Sequence, residues 1–257
     1  MTLPNQAPVV GSSISMTSYS EVLAAIADRP TDAAMVISVC NVHSVMSARK
    51  DPDLATALEG SDITTPDGVP LVWALRWTEN PEQERVYGPT LMRRALREDD
   101  ARKWRHYLYG STEDTIVKLI GSIAEIAPEA QIVGHTAPPF RPLTEDEQRD
   151  HLDAIRESGA DIVWVGLGMP KQELWMHAVR HQLPGVALVG VGAAFDFIAG
   201  NVKEAPLWMR KASLEWLYRL MKEPRRLWRR YIWNNPAYVI LLARQLITAK
   251  FGRVSEA

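Results

Sequence analysis

The chain has 257 residues, 46% of them hydrophobic, which is enough to bury the core of one large α/β domain with or without an appendage. Its single cysteine, Cys40, excludes an intramolecular disulfide, and no apolar run approaches the roughly 20 residues needed to cross a bilayer. The net charge of −2 conceals a polarised chain: residues 203–257 hold twelve Lys or Arg against four Asp or Glu, and the remainder carries a net −10.

In chain order, residues 1–13 show no periodicity and read as a loose lead-in. The first basic residue is Arg29, so the start lacks the positive region of a secretory signal, and the lone cysteine suits a reducing cytoplasm. Short β-branched runs predict strands over 35–39, 106–109, 131–133, 161–165 and 187–191, with Ile63 and Thr64 in another. Helical patterns fall between them over 20–27, 42–50, 69–77, 90–97, 112–126, 145–157 and 171–182. Ser18 with Glu21 and Thr144 with Glu147 have the spacing of capping boxes.

This alternation predicts an α/β fold: a mostly parallel, Rossmann-like sheet with helices on both faces over 1–202. Residues 203–257 read as a basic helical appendage, punctuated by Pro206, Pro224 and Pro236 into three short helices. Parallel sheets bind ligands beyond the carboxyl ends of their strands, so the loops after Val39, Tyr109, Val165 and Val191 are the places to look.

Four constellations lie near such ends. Gly166-Leu-Gly-Met-Pro-Lys-Gln-Glu173 leaves a strand and opens a helix, where Gly166 and Gly168 permit close approach and Lys171 and Gln172 add donors for an anion such as a diphosphate. The same residues also suit a tight turn with solvated Lys171 and Glu173. The third glycine of a dinucleotide fingerprint is missing, which speaks against a nucleotide-cofactor oxidoreductase, the alternative that Gly-x-Gly turns raise. Gly190-Val-Gly-Ala-Ala-Phe-Asp196 offers room for a flat ring beside Gly190 and Gly192, with Asp196 for a sugar hydroxyl; close helix–sheet packing with Asp196 as a cap explains it equally well.

Asp67, in Thr65-Pro-Asp-Gly-Val69, can accept a proton from an attacking hydroxyl, or serve simply as an N-cap. Asn41 and His43 follow the first core strand, as a sugar or base contact and a candidate acid or base. Arg85 is an anion or sugar contact, or an ordinary surface arginine. The six histidines show no His-Glu-x-x-His pattern, and Asp51-Pro-Asp53 sits away from the strand tips, so no metal site is expected.

In the tail, Arg219, Arg226, Arg229 and Arg230 fall at spacings that share helical faces, among Trp208, Trp216, Trp228 and Trp233. Arginine with tryptophan suits an anionic membrane surface or a phosphorylated substrate. The acidic remainder makes nucleic acid an unattractive partner. Apolar surface expected around Trp208 and Trp216 would favour a homo-oligomer.

Taken together, Asn41-Val-His-Ser44, Thr65-Pro-Asp-Gly68, Gly166 to Glu173, Gly190 to Asp196, Lys203-Glu-Ala-Pro206, Leu214-Glu-Trp-Leu217 and Glu223 to Tyr231 resemble the WecG/TagA/CpsF glycosyltransferases, glycosyltransferase family 26, over roughly residues 35 to 245. The resemblance implies metal-independent, inverting transfer of a sugar from a UDP-sugar to a sugar on a polyprenyl-diphosphate carrier, in cell-surface polysaccharide synthesis. It implies a protein peripheral on the inner face of the cytoplasmic membrane, whose appendage completes the active site. Asp67 resembles the family's proposed base; Asn41, Arg85 and Gln172 match polar site positions; Arg219, Arg226 and Arg229 match appendage arginines that meet the diphosphate. Val39 stands where many members have threonine, which removes a hydroxyl, although Ser38 is adjacent. The Asn-Val-His-Ser wording is closer to the exopolysaccharide-building branch than to the N-acetylmannosamine branch, which leaves a glucosyl donor open.

Overall fold

The computed structural model describes residues 2–97 and 103–254, with the side chains of 211, 226–227, 229–232 and 249–254 outside that description. An antiparallel hairpin, β1 (Gln6–Val9) and β2 (Ser12–Ser15), precedes a six-stranded sheet. The sheet strands are β3 (Met35–Cys40), β4 (Ile63–Pro66), β5 (Arg105–Gly110), β6 (Gln131–Thr136), β7 (Ile162–Gly166) and β8 (Ala187–Gly190). They lie in the order β4-β3-β8-β7-β5-β6, and every neighbouring pair is parallel.

Alternation along the strands builds two apolar layers. Met35, Ile37, Ile162, Trp164 and Val189 face one cluster, together with α1 (Tyr19–Ala27), α5 (Gly88–Arg97), α6 (Glu113–Ile126) and α9 (Ala194–Ile198). Val36, Val163, Val165 and Leu188 face the other, with α7 (Glu145–Ser158) and α8 (Lys171–Val179). Successive side chains of a strand point to opposite faces, so this alternation means that helices cover both. Both expected capping boxes, at Ser18 and Thr144, are present.

The N-terminal segment departs from the expected loose lead-in. Ala7 and Val9 are buried while Gln6 and Pro8 are exposed, a period of two too short to stand out in the sequence. The turn runs through Val10 and Gly11 at φ 52° and 89°. The hairpin seats on β4: the Ser15 hydroxyl accepts from the Thr64 amide at 3.0 Å, and the Thr64 hydroxyl donates to the Ser13 carbonyl at 2.5 Å. A further helix, α3 (Pro52–Glu59), is capped by Asp51, whose carboxylate accepts from the amides of Asp53 and Leu54. Asp51 therefore has a structural task as a helix cap.

The tail also departs from expectation. Pro206 and Pro224 do open helices, α10 (Leu207–Lys211) and α12 (Pro224–Val254), with α11 (Glu215–Lys222) between them. Pro236, however, lies inside the 31-residue α12. An interior proline costs about 3 kcal/mol, so tertiary contacts must hold this helix together. Tyr238 and Leu242 are buried in one cluster with Val10, Ile14, Val45 and Leu71. The Tyr238 hydroxyl donates to the Pro70 carbonyl at 3.0 Å, and the Gln245 side chain meets the Val10 amide at 2.7 Å and the Pro8 carbonyl at 2.6 Å. This apolar cluster crosses the 202/203 boundary, so cutting there would open the interior beside the hairpin. No described helix is long and apolar enough to cross a membrane.

Candidate active site

The loops that follow β3 and β4 are tied together at their starts. The Asp67 and Gly68 amides both donate to the Cys40 carbonyl, at 2.8 and 3.2 Å. A Cβ at residue 68 would lie 3.2 Å from the Asn41 Cα, so glycine permits this close approach. Asn41 caps α2 (Val42–Ala48): its side-chain oxygen accepts from the His43 amide at 2.9 Å and the Ser44 amide at 3.4 Å. Its amide nitrogen has no partner among the described residues. The His43 ring bridges to the tail, with Nδ1 3.2 Å from the Ser47 hydroxyl and 3.3 Å from the Asn234 amide.

Asp67 is not a cap. The N-cap of α4 (Val69–Thr78) is Gly68, and the Asp67 carboxylate instead meets Arg85 at 3.0 Å. Arg85 also donates through Nε to the Asp67 carbonyl, and the same Nη2 that meets the Asp67 carboxylate donates to Glu215 at 2.9 Å. Its guanidinium lies 4.4 Å over the Tyr87 ring. One cation thus holds two carboxylates, one from the tip of β4 and one from the tail. Burial pushes the Asp67 carboxyl up to about 6, and the Glu215 charge adds to that rise; Arg85 and Arg219 oppose it. At neutral pH Asp67 remains ionised and is a better proton acceptor than an ordinary carboxylate.

Asn41, His43, Asp67, Arg85, Glu215 and Arg219 line a single cavity of about 630 Å³ between the strand tips and the tail helices. The Arg219 guanidinium packs 5.2 Å from the Phe197 ring centre. The side chains of Arg226 and Arg229 lie outside the described residues. Glu215 is a site residue that the sequence does not mark: it lies in Leu214-Glu-Trp-Leu217, where the arginines and tryptophans of the tail carry the local signal. Among the described residues no group of three or more His, Cys, Asp and Glu converges as a metal site.

Gly166, Gly168, Lys171, Gln172, Gly190, Gly192 and Asp196 do not line this cavity; they belong to the neighbouring tips of β7 and β8. The space beside Gly166 is filled by the Phe195 ring, 2.7 Å from a built Cβ, and that beside Gly190 by Met176, at 2.8 Å. Helix–sheet packing, not ligand approach, explains these two glycines. Gly168 and Gly192 differ, with φ of 76° and 52°; nothing lies within 4 Å of a Cβ at Gly168. Lys171 is exposed. Gln172 is buried and donates to Glu173 at 2.9 Å, while its own side-chain oxygen has no partner. Asp196 sits inside α9 rather than capping it, and accepts from Asn201 at 3.3 Å. Ser38 does not replace the hydroxyl missing at Val39, because its side chain is fully buried against Ser61 at 2.9 Å.

A doubly wound α/β sheet with a cavity and a carboxylate–arginine cluster beyond its strand tips has the architecture of a ligand-binding α/β protein. The sequence profile of the "Glycosyl transferase WecG/TagA/CpsF family" matches residues 7–252, and the chain belongs to that family of glycosyltransferases. An N-acetylglucosaminyldiphosphoundecaprenol N-acetyl-beta-D-mannosaminyltransferase of Bacillus subtilis (strain 168) is 33% identical over 210 residues, or 82% of this chain and 79% of the relative. The protein of the same name from Bacillus spizizenii (strain ATCC 23059 / NRRL B-14472 / W23) is 34% identical over 203 residues, or 79% and 76%. By name both belong to the N-acetylmannosamine branch, the one that the Asn-Val-His-Ser wording resembles less.

Glu215→Gln is expected to shift the pH dependence of activity. Removing its charge lowers the Asp67 pKa, so the acid limb of kcat/KM should move below about 6. A limb that stays in place, in a folded variant, would show that Glu215 has no electrostatic hold on the site.

Proposed function

We propose that this enzyme transfers a hexosyl group from a UDP-sugar to the sugar of a polyprenyl-diphosphate-linked acceptor, with inversion and without a metal. The observation that carries this reading is the Asp67 carboxylate, raised to about 6 and braced by Arg85, at the polar end of a cavity that Arg219 also lines. The two relatives, named for a mannosaminyl transfer to N-acetylglucosaminyldiphosphoundecaprenol, support the class of acceptor.

In this mechanism Asp67 takes the proton as the acceptor hydroxyl oxygen attacks the anomeric carbon. The bond from that carbon to the diphosphate breaks, UDP departs, and a single displacement inverts the centre. General base assistance of this kind contributes ~10²- to 10⁴-fold. The leaving diphosphate is neutralised by arginines and by backbone N–H groups near Gly168, beside which the space is open. The unpartnered Gln172 oxygen offers an acceptor at the same tips.

The enzyme works at the inner face of the cytoplasmic membrane in cell-surface polysaccharide synthesis. Exposed Trp208, Trp228 and Trp233, set among the tail arginines, supply the interfacial contact.

A screen of UDP-sugars against a prenyl-diphosphate-linked N-acetylglucosamine tests the reading, with UDP-N-acetylmannosamine and UDP-glucose as the first donors. Transfer with release of UDP, unchanged in EDTA, is the expected result. No transfer from any donor would reject the proposal, and EDTA inhibition reversed by Mg²⁺ or Mn²⁺ would reject its metal-free form.

A further inference from the structure

The cavity at Asp67 changes character along its length. Its polar end holds Asp67, Arg85, Glu215 and Arg219. Its other end is a trough between two helices, and the lining there is almost entirely apolar. One wall is a stripe of α4 carrying Trp73 and Trp77, four residues apart and therefore on one helical face. The facing stripe of α12 presents Val239 and Leu246, with Tyr238 and Leu242 as the buried floor.

The trough is preformed, because the Tyr238 hydroxyl bonded to the Pro70 carbonyl pins the helices together where α4 begins. Its upper walls are nevertheless open: Trp73, Trp77 and Val239 are 42%, 65% and 63% exposed. The two indoles are stacked, with ring centres 6.5 Å apart. Solvated indoles and valine along a groove that leads to a general base are costly to leave uncovered.

At 1.5 Å per residue the stripe from Val69 to Trp77 runs about 12 Å, and that from Asn235 to Leu246 about 16 Å. That is room for a few isoprene units. A peptide would need side-chain or backbone partners for its amides, and the trough offers almost none. A single molecule with an anionic head and a hydrocarbon tail matches both ends at once, with the head at Arg219 and the tail between the helices.

We propose that the trough between α4 and α12 is the seat of the first isoprene units of the acceptor, holding its hydrocarbon tail so that the sugar reaches Asp67. The inference rests on the polyprenyl-linked acceptor proposed above and adds a tail-binding site, made by the core and the C-terminal helix together. The enzyme then measures the lipid beside the diphosphate, and does not rely on the membrane alone to deliver it.

Two soluble acceptors separate the possibilities: N-acetylglucosamine diphosphate carrying a farnesyl chain, and the same head carrying only a methyl group. The full-length enzyme is expected to favour the farnesyl acceptor in kcat/KM by about tenfold or more. The double variant Trp77→Gln, Val239→Gln alters exposed side chains and leaves Tyr238 and Leu242 in place; its farnesyl-to-methyl ratio should fall toward one. Calorimetric titration with farnesyl diphosphate and with methyl diphosphate gives a readout that needs no transfer.

Transfer without chain-length preference would overturn the tail site while the proposed function stands. A farnesyl preference in titration, lost in the double variant but accompanied by no transfer, would support the site and reject the function. A variant that loses sedimentation with anionic vesicles but keeps the wild-type ratio would show that these side chains face a bilayer, and would overturn the proposal.

Discussion

Replacing Asp67 by asparagine is expected to lower kcat by about 10²- to 10⁴-fold while leaving the protein folded and UDP binding little changed. Asparagine has the same shape and can still accept from Arg85 at the position of the 3.0 Å contact. It cannot take a proton. As the proposed base, the wild-type carboxylate acts only when ionised, so kcat/KM should rise with pH through about 6 and then level. That rise should vanish in the variant.

Stability supplies a second check with the opposite sign. Folded Asp67 binds its proton more tightly than the unfolded chain does, with the pKa raised from 3.8 to about 6. Its contribution to stability is full below about pH 4 and is lost as pH rises through about 6. The Asp67→Asn variant, which has no charge to bury, should therefore melt no lower than wild type above pH 6. A variant with turnover within tenfold of wild type would remove Asp67 as the base.

Replacing Arg85 by methionine should damage both stability and activity. Among the described residues Arg85 alone joins the Asp67 carbonyl, the Asp67 carboxylate and the Glu215 carboxylate, and the two acids are only 16% and 15% exposed. Without it two half-buried anions face each other, at a cost of about 2–4 kcal/mol. For a chain of this size each kcal/mol lowers Tm by about 2–4 °C.

The same change removes the cation that holds the Asp67 pKa down, so the acid limb should move above about 6. Turnover at neutral pH should then be lost in part and recover on the alkaline side. Arg85→Lys restores the charge but not the planar guanidinium that reaches the Asp67 carbonyl through Nε and both carboxylates through Nη2, and should rescue only partly. A methionine variant with wild-type Tm and an unmoved pH limb would show that the ion cluster is incidental.

Much of the sheet was legible in the residues, because its buried parallel strands are short apolar runs, β-branched in Met35–Cys40 and Ile162–Gly166 and aromatic in Arg105–Gly110. The site was legible in part. Asp67 could be read from local sequence as a cap or a base; the structure gives the cap position to Gly68 and pairs Asp67 with Arg85, 18 residues on. Gly166 and Gly190 look the same in sequence as Gly168 and Gly192. Phe195 and Met176 fill the space beside the first pair, and nothing comparable crowds the second. Pro236 signals a helix end by every local rule, yet the Tyr238 and Leu242 contacts carry the helix through it.

The sequence by itself determined the parallel α/β architecture, the acidic body with its basic, tryptophan-bearing end, and the family to which the chain belongs. Strand propensity, charge and motif spacing are local properties, carried by neighbouring residues. The tertiary structure decided that Glu215 shares Arg85 with Asp67 across 130 residues, and that the tail is docked into the core rather than hung from it. Those contacts arise where distant segments bury apolar surface against each other, and no short stretch of sequence records which segment its partner will be.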